Sequence, residues 1–415
     1  MRFFFPDSQD QVDPGFDFVT EERDPYRVRQ RDDLYAHEVL DPPPFHGLLV
    51  SKAIVDGYSD GSAGKYTAAQ RLRLYREHAR KFFRLDHARG PLKIMGDCGA
   101  FSYVDDPEPA YSVDEVIDFY DGCEFDYGIS VDHVIFNKNP LAATVHRDDE
   151  ELAKWRERQD LTLRLANDFW KRCKDRRVRF ERLGVAQGWS PQSYAESVEA
   201  LQRIGYRRIA MGGMVPYKTP EIVACLRAVD DVRHRNTQLH LLGISRCDDI
   251  PTFASYGVTS FDSTSPFLQA FKDDRDNYYT FDSTYVALRV PQVEGNLKLR
   301  KRILAGEIDQ KIAIVLERAA LRLLRQYDAG TATLDETLQA LQDYSYLCDG
   351  KANRGEAYRR TLRDKPWRDC PCEICRTIGI DIAVFRGTER NKRRGFHNLY
   401  VFRQRLRAQL GEDPS

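Results

Sequence analysis

Short apolar segments alternate with longer amphipathic segments over the first two-thirds of the chain. The short segments have the length and the continuous apolar character of strands buried on both faces. In the longer segments apolar residues recur near every 3.6 positions, which is typical of helices that pack on one face. The pattern predicts eight strands, at 2–6, 47–55, 92–96, 127–131, 183–187, 208–211, 238–244 and 258–261.

Helices are predicted between most of these strands, and the alternation indicates a (β/α)8 barrel of the TIM type. Residues 7–46, rich in Pro and Asp, replace the first helix. A doubly wound open sheet is the alternative, but no predicted strand is followed by the Gly-rich turn that binds phosphate in such sheets. The helices are expected at 67–85, from 112 onward, and at 150–174, 190–204, 219–229 and 248–256.

The pattern changes after residue 267. Helices rich in Arg, Leu, Glu and Gln are predicted at 297–327 and 334–347, and a last helix is expected at 398–410 after a cysteine-rich segment. We therefore expect three domains: a barrel over 1–267, a helical extension over 268–369, and a C-terminal helical subdomain over 370–415.

The charge of the chain is balanced, with 63 basic and 64 acidic residues and a formal net charge of −1. No overall field therefore favours a nucleic-acid partner. Residues 386–407 depart from this balance, because this stretch contains many basic residues and a single acidic residue, Glu389. Such a run is a solvated face about twice as often as a phosphate site. The phosphate contacts predicted within it are Arg390, Lys392, Arg393 and Arg394.

Nine cysteines are scattered through the chain. Their odd number and the lack of an apolar signal segment indicate a reducing compartment. No stretch approaches the roughly 20 apolar residues that a membrane span needs. The sequence predicts a cytoplasmic protein with no membrane partner.

Four candidate metal ligands lie close together near the C terminus. Cys370, Cys372 and Cys375 fall within six residues, and His397 follows in a Gly-Phe-His-Asn segment. These ligand types suit tetrahedral Zn²⁺, and the spacing leaves too little chain for an ordinary disulfide. Because four protein ligands leave no open position for substrate, we expect a structural zinc ion, so that 370–415 is a zinc-binding subdomain.

Carboxylates, an amide and glycines follow five of the predicted strands. Each is weak evidence alone, since an Asp after a strand is a turn or cap residue roughly three times as often as a catalyst. Barrel enzymes place their chemistry at this end of the strands, so the set as a whole predicts one active site. Its members are Asp97 and Phe101 after the third strand, Asp132 after the fourth, Gln187 after the fifth, Gly212, Gly213 and Met214 after the sixth, and Asp262 after the eighth.

These segments resemble the tRNA-guanine transglycosylase superfamily. Its members carry Asp-Ser-Gly-Gly-Phe-Gln, an Asp after the fourth strand, Gln-Gly, Gly-Gly-Leu and a catalytic Phe-Asp. They also carry a Cys-x-Cys-x-x-Cys zinc site that is closed by a His in a His-Asn helix. The matching segments of this chain run in the same order from about residue 92 to 405.

Two departures from the superfamily pattern change the expected substrate. Residues 97–102 read Asp-Cys-Gly-Ala-Phe-Ser, without the second Gly and the Gln. After Asp262 the chain continues Ser-Thr-Ser-Pro-Phe, where the tRNA enzymes have an Arg-bearing segment that reads the anticodon loop. The reduced motifs and the N-terminal Phe-Pro-Asp-Ser-Gln-Asp are more similar to the DpdA branch, implicated in placing 7-deazaguanines into DNA.

The resemblance implies a pentosyltransferase that exchanges guanine in DNA for a 7-deazaguanine base, such as preQ0, through a covalent glycosyl-enzyme. It implies that Asp262 is the nucleophile and Asp97 the general acid/base. It further implies a base pocket in which Asp132, Gln187 and the Gly213 N–H bind guanine, beside Gly212, Met214 and Phe101.

A tRNA-guanine transglycosylase and a non-catalytic nucleic-acid-binding paralogue are the alternatives, although the presence of all three carboxylates disfavours the second. The expected partners are DNA, or tRNA in the alternative, and a free 7-deazaguanine base. The sequence leaves open an accessory protein that opens DNA and a homodimer.

Overall fold

The computed structural model describes residues 1–59, 62–88, 90–142, 149–272, 275–350 and 354–412. The chain forms two compact units. Unit 1 consists of Met1–Gln9, Phe45–Thr264 and Leu406–Ser415, and unit 2 of Asp10–Pro44 and Ser265–Arg405. Most of the segment that replaces the first helix, Asp10–Pro44, therefore belongs to unit 2, although it lies between the first two barrel strands in sequence. The domain limits expected at 267 and 369 stay a prediction.

Unit 1 contains a closed barrel of eight parallel strands, which confirms the predicted fold. Each strand pairs with the next along the chain, and the first closes on the eighth with Phe4 opposite Asp262. The strands are β1 Arg2–Pro6, β2 Gly47–Ser51, β3 Lys93–Asp97, β4 Tyr127–Ile129, β5 Glu181–Ala186, β6 Arg208–Met211, β7 Gln238–Leu241 and β8 Val258–Asp262.

The interior of the barrel is filled by side chains, because the apolar residues of the strands alternate between the inside and the surrounding helices. One buried cluster combines side chains from six consecutive strands. Its members are Phe4, Leu49, Met95, Tyr127, Ile129, Leu183, Val185 and Ala210. This packing makes the strand ends a rigid platform.

Helices surround the barrel and begin where the sequence provides caps. Ser112, for example, accepts the backbone N–H of Glu115 through its side chain, and the Glu115 carboxylate accepts the backbone N–H of Ser112 at 2.8 Å. Such a reciprocal pair satisfies two N–H groups that have no partner within the helix. The helices of unit 1 are Lys52–Asp56, Ala68–Phe82, Val113–Gly122, Asp149–Arg176, Pro191–Ile204, Thr219–Val232 and Ile250–Ser255.

Unit 2 is mainly helical. Short strand pairs join Tyr278–Tyr279 to Thr284–Tyr285 and Leu288–Arg289 to Val384–Phe385. Its helices include Ala36–Val39, Ser265–Gln269, Leu297–Leu304, Gln310–Asp328, Leu334–Asp349, Gly355–Asp364, Pro366–Asp369, Glu373–Ile378 and, up to Arg405, Gly387–Gln409.

Two helix predictions in this unit were wrong in their bounds. The single helix predicted at 297–327 is two helices, since Gly306 has a positive φ of 74° and Asp309 caps a new helix through Lys311 and Ile312. The last helix begins at Gly387 and not at 398. Arginines occupy much of its buried face, so the apolar periodicity that marks a helix is missing there.

Within the part of the chain that the structure describes, no helix has both the length and the apolar character needed to cross a bilayer.

Candidate active site

Three carboxylates line one cavity of about 230 Å³ at the carboxyl ends of the barrel strands. Asp97 and Asp262 are the last residues of β3 and β8, and Asp132 lies three residues beyond β4. Parallel strands of a closed barrel all end on the same side, which brings together carboxylates that are far apart in sequence. The predicted convergence of these three residues is therefore present in the structure.

Gln187 and the Gly212-Gly213 pair complete the polar wall of this cavity. The Gln187 side chain donates to Asp132 Oδ2 at 2.7 Å and accepts the Ile135 N–H at 3.3 Å. A Cβ at Gly212 would lie 2.2 Å from Gln187 Nε2, and one at Gly213, where φ is 73°, would lie 2.8 Å from the Ile135 carbonyl oxygen. Glycine is thus required for the backbone to approach the Gln187 side chain so closely.

The cavity shifts the pKa of two of its carboxyl groups. Burial, with the nearby charges of Asp132 and Asp262, raises the pKa of Asp97 to about 7, although the N–H groups of Gly99 and Cys98 oppose the shift. Burial also raises the pKa of Asp132 to about 6, against hydrogen bonds from Gln187 and Cys98. A carboxyl group with a pKa near 7 can both give and take a proton at neutral pH.

Cys98, which follows Asp97, supports Asp132. Its thiol lies 3.4 Å from Asp132 Oδ1, and the Tyr103 hydroxyl donates to its sulfur at 3.0 Å. Burial raises the pKa of the Cys98 thiol, so it stays protonated and can donate. With Gln187 on Oδ2, both oxygens of Asp132 have a donor inside the protein.

Asp262 is oriented by two donors that the sequence analysis missed. Its Oδ1 lies 3.1 Å from His240 Nε2 and accepts the Gly243 N–H at 3.1 Å. His240 Nδ1 in turn lies 2.9 Å from the Ser260 hydroxyl oxygen. His240 lies on β7 within the apolar run Gln-Leu-His-Leu-Leu, and a histidine inside such a run was the signal that could have identified it.

Of the two apolar residues expected around the base, Phe101 lines the cavity and Met214 does not. Phe101 lines the cavity and is about half exposed. Met214 is fully buried and is absent from the described residues that line the cavity, whereas Leu49 and Leu242 are present. The structure does not bring Met214 to the site.

No protein-family model matches the sequence. A DNA-guanine transglycosylase of Salmonella montevideo is 48% identical over 414 residues, which cover 99% of this chain and 97% of that protein. The chain belongs to the DNA-guanine transglycosylase family. A queuine tRNA-ribosyltransferase of Gluconacetobacter diazotrophicus is 30% identical over 110 residues, 25% of this chain and 28% of that protein. The predicted superfamily and the enzyme class of guanine transglycosylase are confirmed.

This member of the DNA-guanine transglycosylase family also has a buried cluster that could hold a metal ion, formed by Cys370, Cys372, Cys375 and His397. The three sulfurs lie 3.6, 3.5 and 3.3 Å from His397 Nδ1. Zn–S and Zn–N bonds of about 2.3 and 2.0 Å at tetrahedral angles would put S and N about 3.5 Å apart. His397 Nε2 lies 2.7 Å from the Tyr279 carbonyl oxygen, which directs Nδ1 toward the sulfurs. The residues therefore fit the predicted ion.

The four basic residues that were predicted to contact phosphate bond to other groups of the protein, and three of them are buried. Arg390 and Arg394 are at most 1% exposed, and Arg393 is 7% exposed. Arg390 pairs with Glu21 and Asp381, Arg393 with Glu389, and Arg394 donates to backbone carbonyls. Lys392 donates to the Gln11 carbonyl oxygen at 2.8 Å. Their positive charges are used inside unit 2, which explains why the run is basic without being a charged surface.

Proposed function

We propose that this enzyme replaces a guanine of DNA by a 7-deazaguanine base through a covalent intermediate on Asp262. The observation that carries the proposal is the convergence of Asp97, Asp132 and Asp262 on one cavity in a chain 48% identical to a DNA-guanine transglycosylase. That relative is aligned over nearly its full length, whereas the tRNA enzyme is aligned over about a quarter of this chain.

The first half of the reaction breaks the bond between C1′ of the sugar and N9 of guanine. An oxygen of Asp262 forms a bond to C1′ while the base leaves, as in double displacement at other glycosidic carbons. Protonated Asp97 gives its proton to the departing guanine, for which a pKa of about 7 is well placed. His240 and Gly243 hold the Asp262 carboxylate in one orientation.

The second half reverses these steps with a different base. Asp97, now a carboxylate, takes the N9 proton of the incoming 7-deazaguanine, and the new C1′–N9 bond forms as the ester to Asp262 breaks. One glycosidic bond replaces another, so the exchange balances without a further reactant.

Base recognition is assigned to Asp132, Gln187 and the Gly213 N–H. The Asp132 carboxylate would accept the N1–H and the exocyclic amine of guanine, while Gln187 and Gly213 donate to O6. Adenine has an acceptor at N1, a donor at position 6 and no amine at position 2, so it would leave these buried groups unpaired, which is costly. The Gln187 amide donates to Asp132 in the structure, and we expect guanine binding to redirect it toward O6.

The ion at the Cys370 cluster is assigned as Zn²⁺ with a structural role. Its four protein ligands would complete a closed tetrahedral site, and such an ion supplies folding energy. Every step of the exchange is assigned to residues of unit 1.

The proposal is tested with one guanine-containing sequence supplied as DNA, as the matching RNA and as a folded tRNA, each with labelled 7-deazaguanine. We expect label to enter DNA and denaturing gels to show a covalent DNA–protein band. Asp262→Asn should abolish both, whereas Asp248→Asn, an exposed control, should retain them. Label entering only tRNA would replace DNA by tRNA as the substrate, and undiminished exchange by Asp262→Asn would refute the nucleophile.

A further inference from the structure

Phe136 is held facing solvent by a rigid loop beside the cavity. Its side chain is 39% exposed, while its neighbours Ile135 and Asn137 are at most 1% exposed. The Ile135 N–H donates to Gln187 Oε1, and the Asn137 amide donates to the Trp189 carbonyl oxygen at 2.5 Å. Since the backbone is anchored on both sides, the outward direction of the ring is a property of the folded loop.

Phe101 lies against Phe136 at the same rim. The ring centroids are 5.3 Å apart at an interplanar angle of 66°, and Phe101 is 51% exposed. Phe101 belongs to the 3-10 turn Ala100–Tyr103, whose first and last residues are buried. We call Phe101 and Phe136 the rim pair. Phe101 lines the cavity, and Phe136 extends the aromatic surface outward from it.

An exposed aromatic pair leaves apolar area in water unless a partner covers it. The cavity beside the pair holds about 230 Å³, below the roughly 300–1,000 Å³ of pockets that enclose drug-sized ligands. One base fits such a volume, but its neighbours along the strand must stay outside. When a base is extruded, those neighbours lose its stacking and present open faces.

We propose that Phe136 stacks on the base adjacent to the guanine being exchanged, with Phe101 supporting its ring from the cavity side. Base–aromatic stacking has no preference for a particular base, because every base has a π-face. The rim pair would therefore hold the strand in register without reading the neighbouring base. Exposed Lys138, two residues beyond Phe136, adds positive charge at this rim, where phosphates would pass.

This inference rests on the proposed function and is tested on single-stranded DNA with one guanine. Three oligonucleotides are compared: the intact strand, one that lacks the base on the 5′ side of the guanine, and one that lacks the base on the 3′ side. Binding is measured by fluorescence anisotropy, and exchange by kcat and KM for the strand. The proteins are wild type, Phe136→Ala and Phe136→Trp.

With the intact strand, Phe136→Ala should raise Kd and KM about tenfold, in line with the loss of one stacked base, and leave kcat nearly unchanged. With one of the two base-lacking strands, wild type and Phe136→Ala should bind equally, because the partner of the ring is already gone. Phe136→Trp should bind the intact strand as well as wild type does. A purely structural role would not make the loss depend on one neighbouring base.

Phe281→Ala is the matched control, since Phe281 is 44% exposed and belongs to unit 2. It should bind all three strands as wild type does. An equal loss of affinity by Phe136→Ala on all three strands, or no loss on any, would overturn the stacking role. If wild type exchanges no guanine in DNA, the proposed function itself fails; if it exchanges guanine but shows no dependence on a neighbouring base, only the inference about Phe136 fails.

Discussion

The three carboxylates of the cavity differ in the groups that surround each of them. Asp97, which is partly exposed, and Asp132, which is buried, line the same cavity, and desolvation raises the pKa of each. Asp262 instead receives hydrogen bonds from His240 and Gly243 on a single oxygen. These hydrogen bonds fix the orientation of Asp262, whereas desolvation governs the proton of Asp97.

Replacing Asp97 by Asn should stabilise the protein at alkaline pH. The pKa of Asp97 is about 7 in the folded protein, against an ordinary value of 3.8. The stabilising contribution of this group is therefore complete below about pH 4 and is lost as the pH rises through 7. At about 1.4 kcal/mol per pKa unit, Asp97→Asn should raise the free energy of unfolding at pH 8 by a few kcal/mol relative to wild type, and hardly at pH 4. Urea denaturation at both pH values measures this.

The exposed Asp248 supplies the control for this comparison. Asp248→Asn should change the free energy of unfolding by a similar small amount at both pH values. A difference between Asp97→Asn and wild type that does not vary with pH would contradict the burial of an ionisable group at this position.

Removing the side chain of His240 should slow the chemical step. His240→Ala leaves Asp262 without one of its two orienting donors, and a misplaced nucleophile costs on the order of 10²-fold in rate. We expect kcat to fall about 100-fold while KM for DNA stays near the wild-type value. Ser260→Ala, which removes only the partner of His240 Nδ1, should have a smaller effect. A rise in KM with unchanged kcat would assign His240 to binding instead.

At the scale of elements, the last helix shows how a basic segment can belong to the interior. Within Gly387–Gln409 the buried positions include Arg390, Arg394 and His397, which follow one another at helical spacing. Glu21 lies beside Arg386 and Arg390; although burial raises its pKa, hydrogen bonds from Arg386 and Gln292 lower it to about 2. These ion pairs tie the segment 10–44 to the last helix within unit 2.

Breaking this network from its centre should destabilise the protein strongly. Arg390→Gln removes the guanidinium that links Glu21 to Asp381 and leaves each carboxylate with one arginine, Arg386 or Arg325. Because a partner remains on each side, we expect a loss of about 3 kcal/mol, the lower end of the range for breaking a buried pair. Arg376→Gln, at an exposed position, should change the free energy of unfolding by less than about 0.5 kcal/mol. Thermal and urea unfolding of the two variants are compared. Equal stability of both variants would indicate that the network contributes little.

At the scale of the whole molecule, chemistry and metal binding are assigned to different units. The residues of the proposed reaction belong to unit 1, and Cys370, Cys372, Cys375 and His397 belong to unit 2. Both units are discontinuous in sequence. Residues 10–44 belong to unit 2, which is otherwise formed by 265–405, and the C-terminal segment from Leu406 belongs to unit 1.

The metal assignment predicts about one zinc ion per chain in the purified protein. Cys375→Ser should lose the ion and lower the unfolding temperature, because zinc binding contributes directly to folding. Cys247→Ser, at a partly exposed cysteine outside the cluster, should retain both. Metal content is measured by mass spectrometry and stability by thermal unfolding. Retention of zinc by Cys375→Ser, or an unchanged unfolding temperature after its loss, would refute the structural role.

The sequence alone determined the barrel and most of its active-site candidates. Strands on a buried barrel are continuous apolar runs, and the residues that follow them must meet at one end, so Asp97, Asp132, Gln187 and Asp262 were found without coordinates. Motif spacing likewise indicated the four cluster ligands, because three of them lie within a few residues of one another.

Only the tertiary structure decided which side chains are exposed and which residues orient others. His240 lies inside an apolar run, and its contact with Asp262 depends on the pairing of β7 with β8. Arg390 and Arg394 have the sequence pattern of a charged surface, yet their partners come from residues that are distant in sequence. Phe136 has an apolar side chain that is typical of a core residue, and its exposure follows from the anchoring of its neighbours. Burial and pairing depend on contacts between remote segments, which local periodicity does not encode.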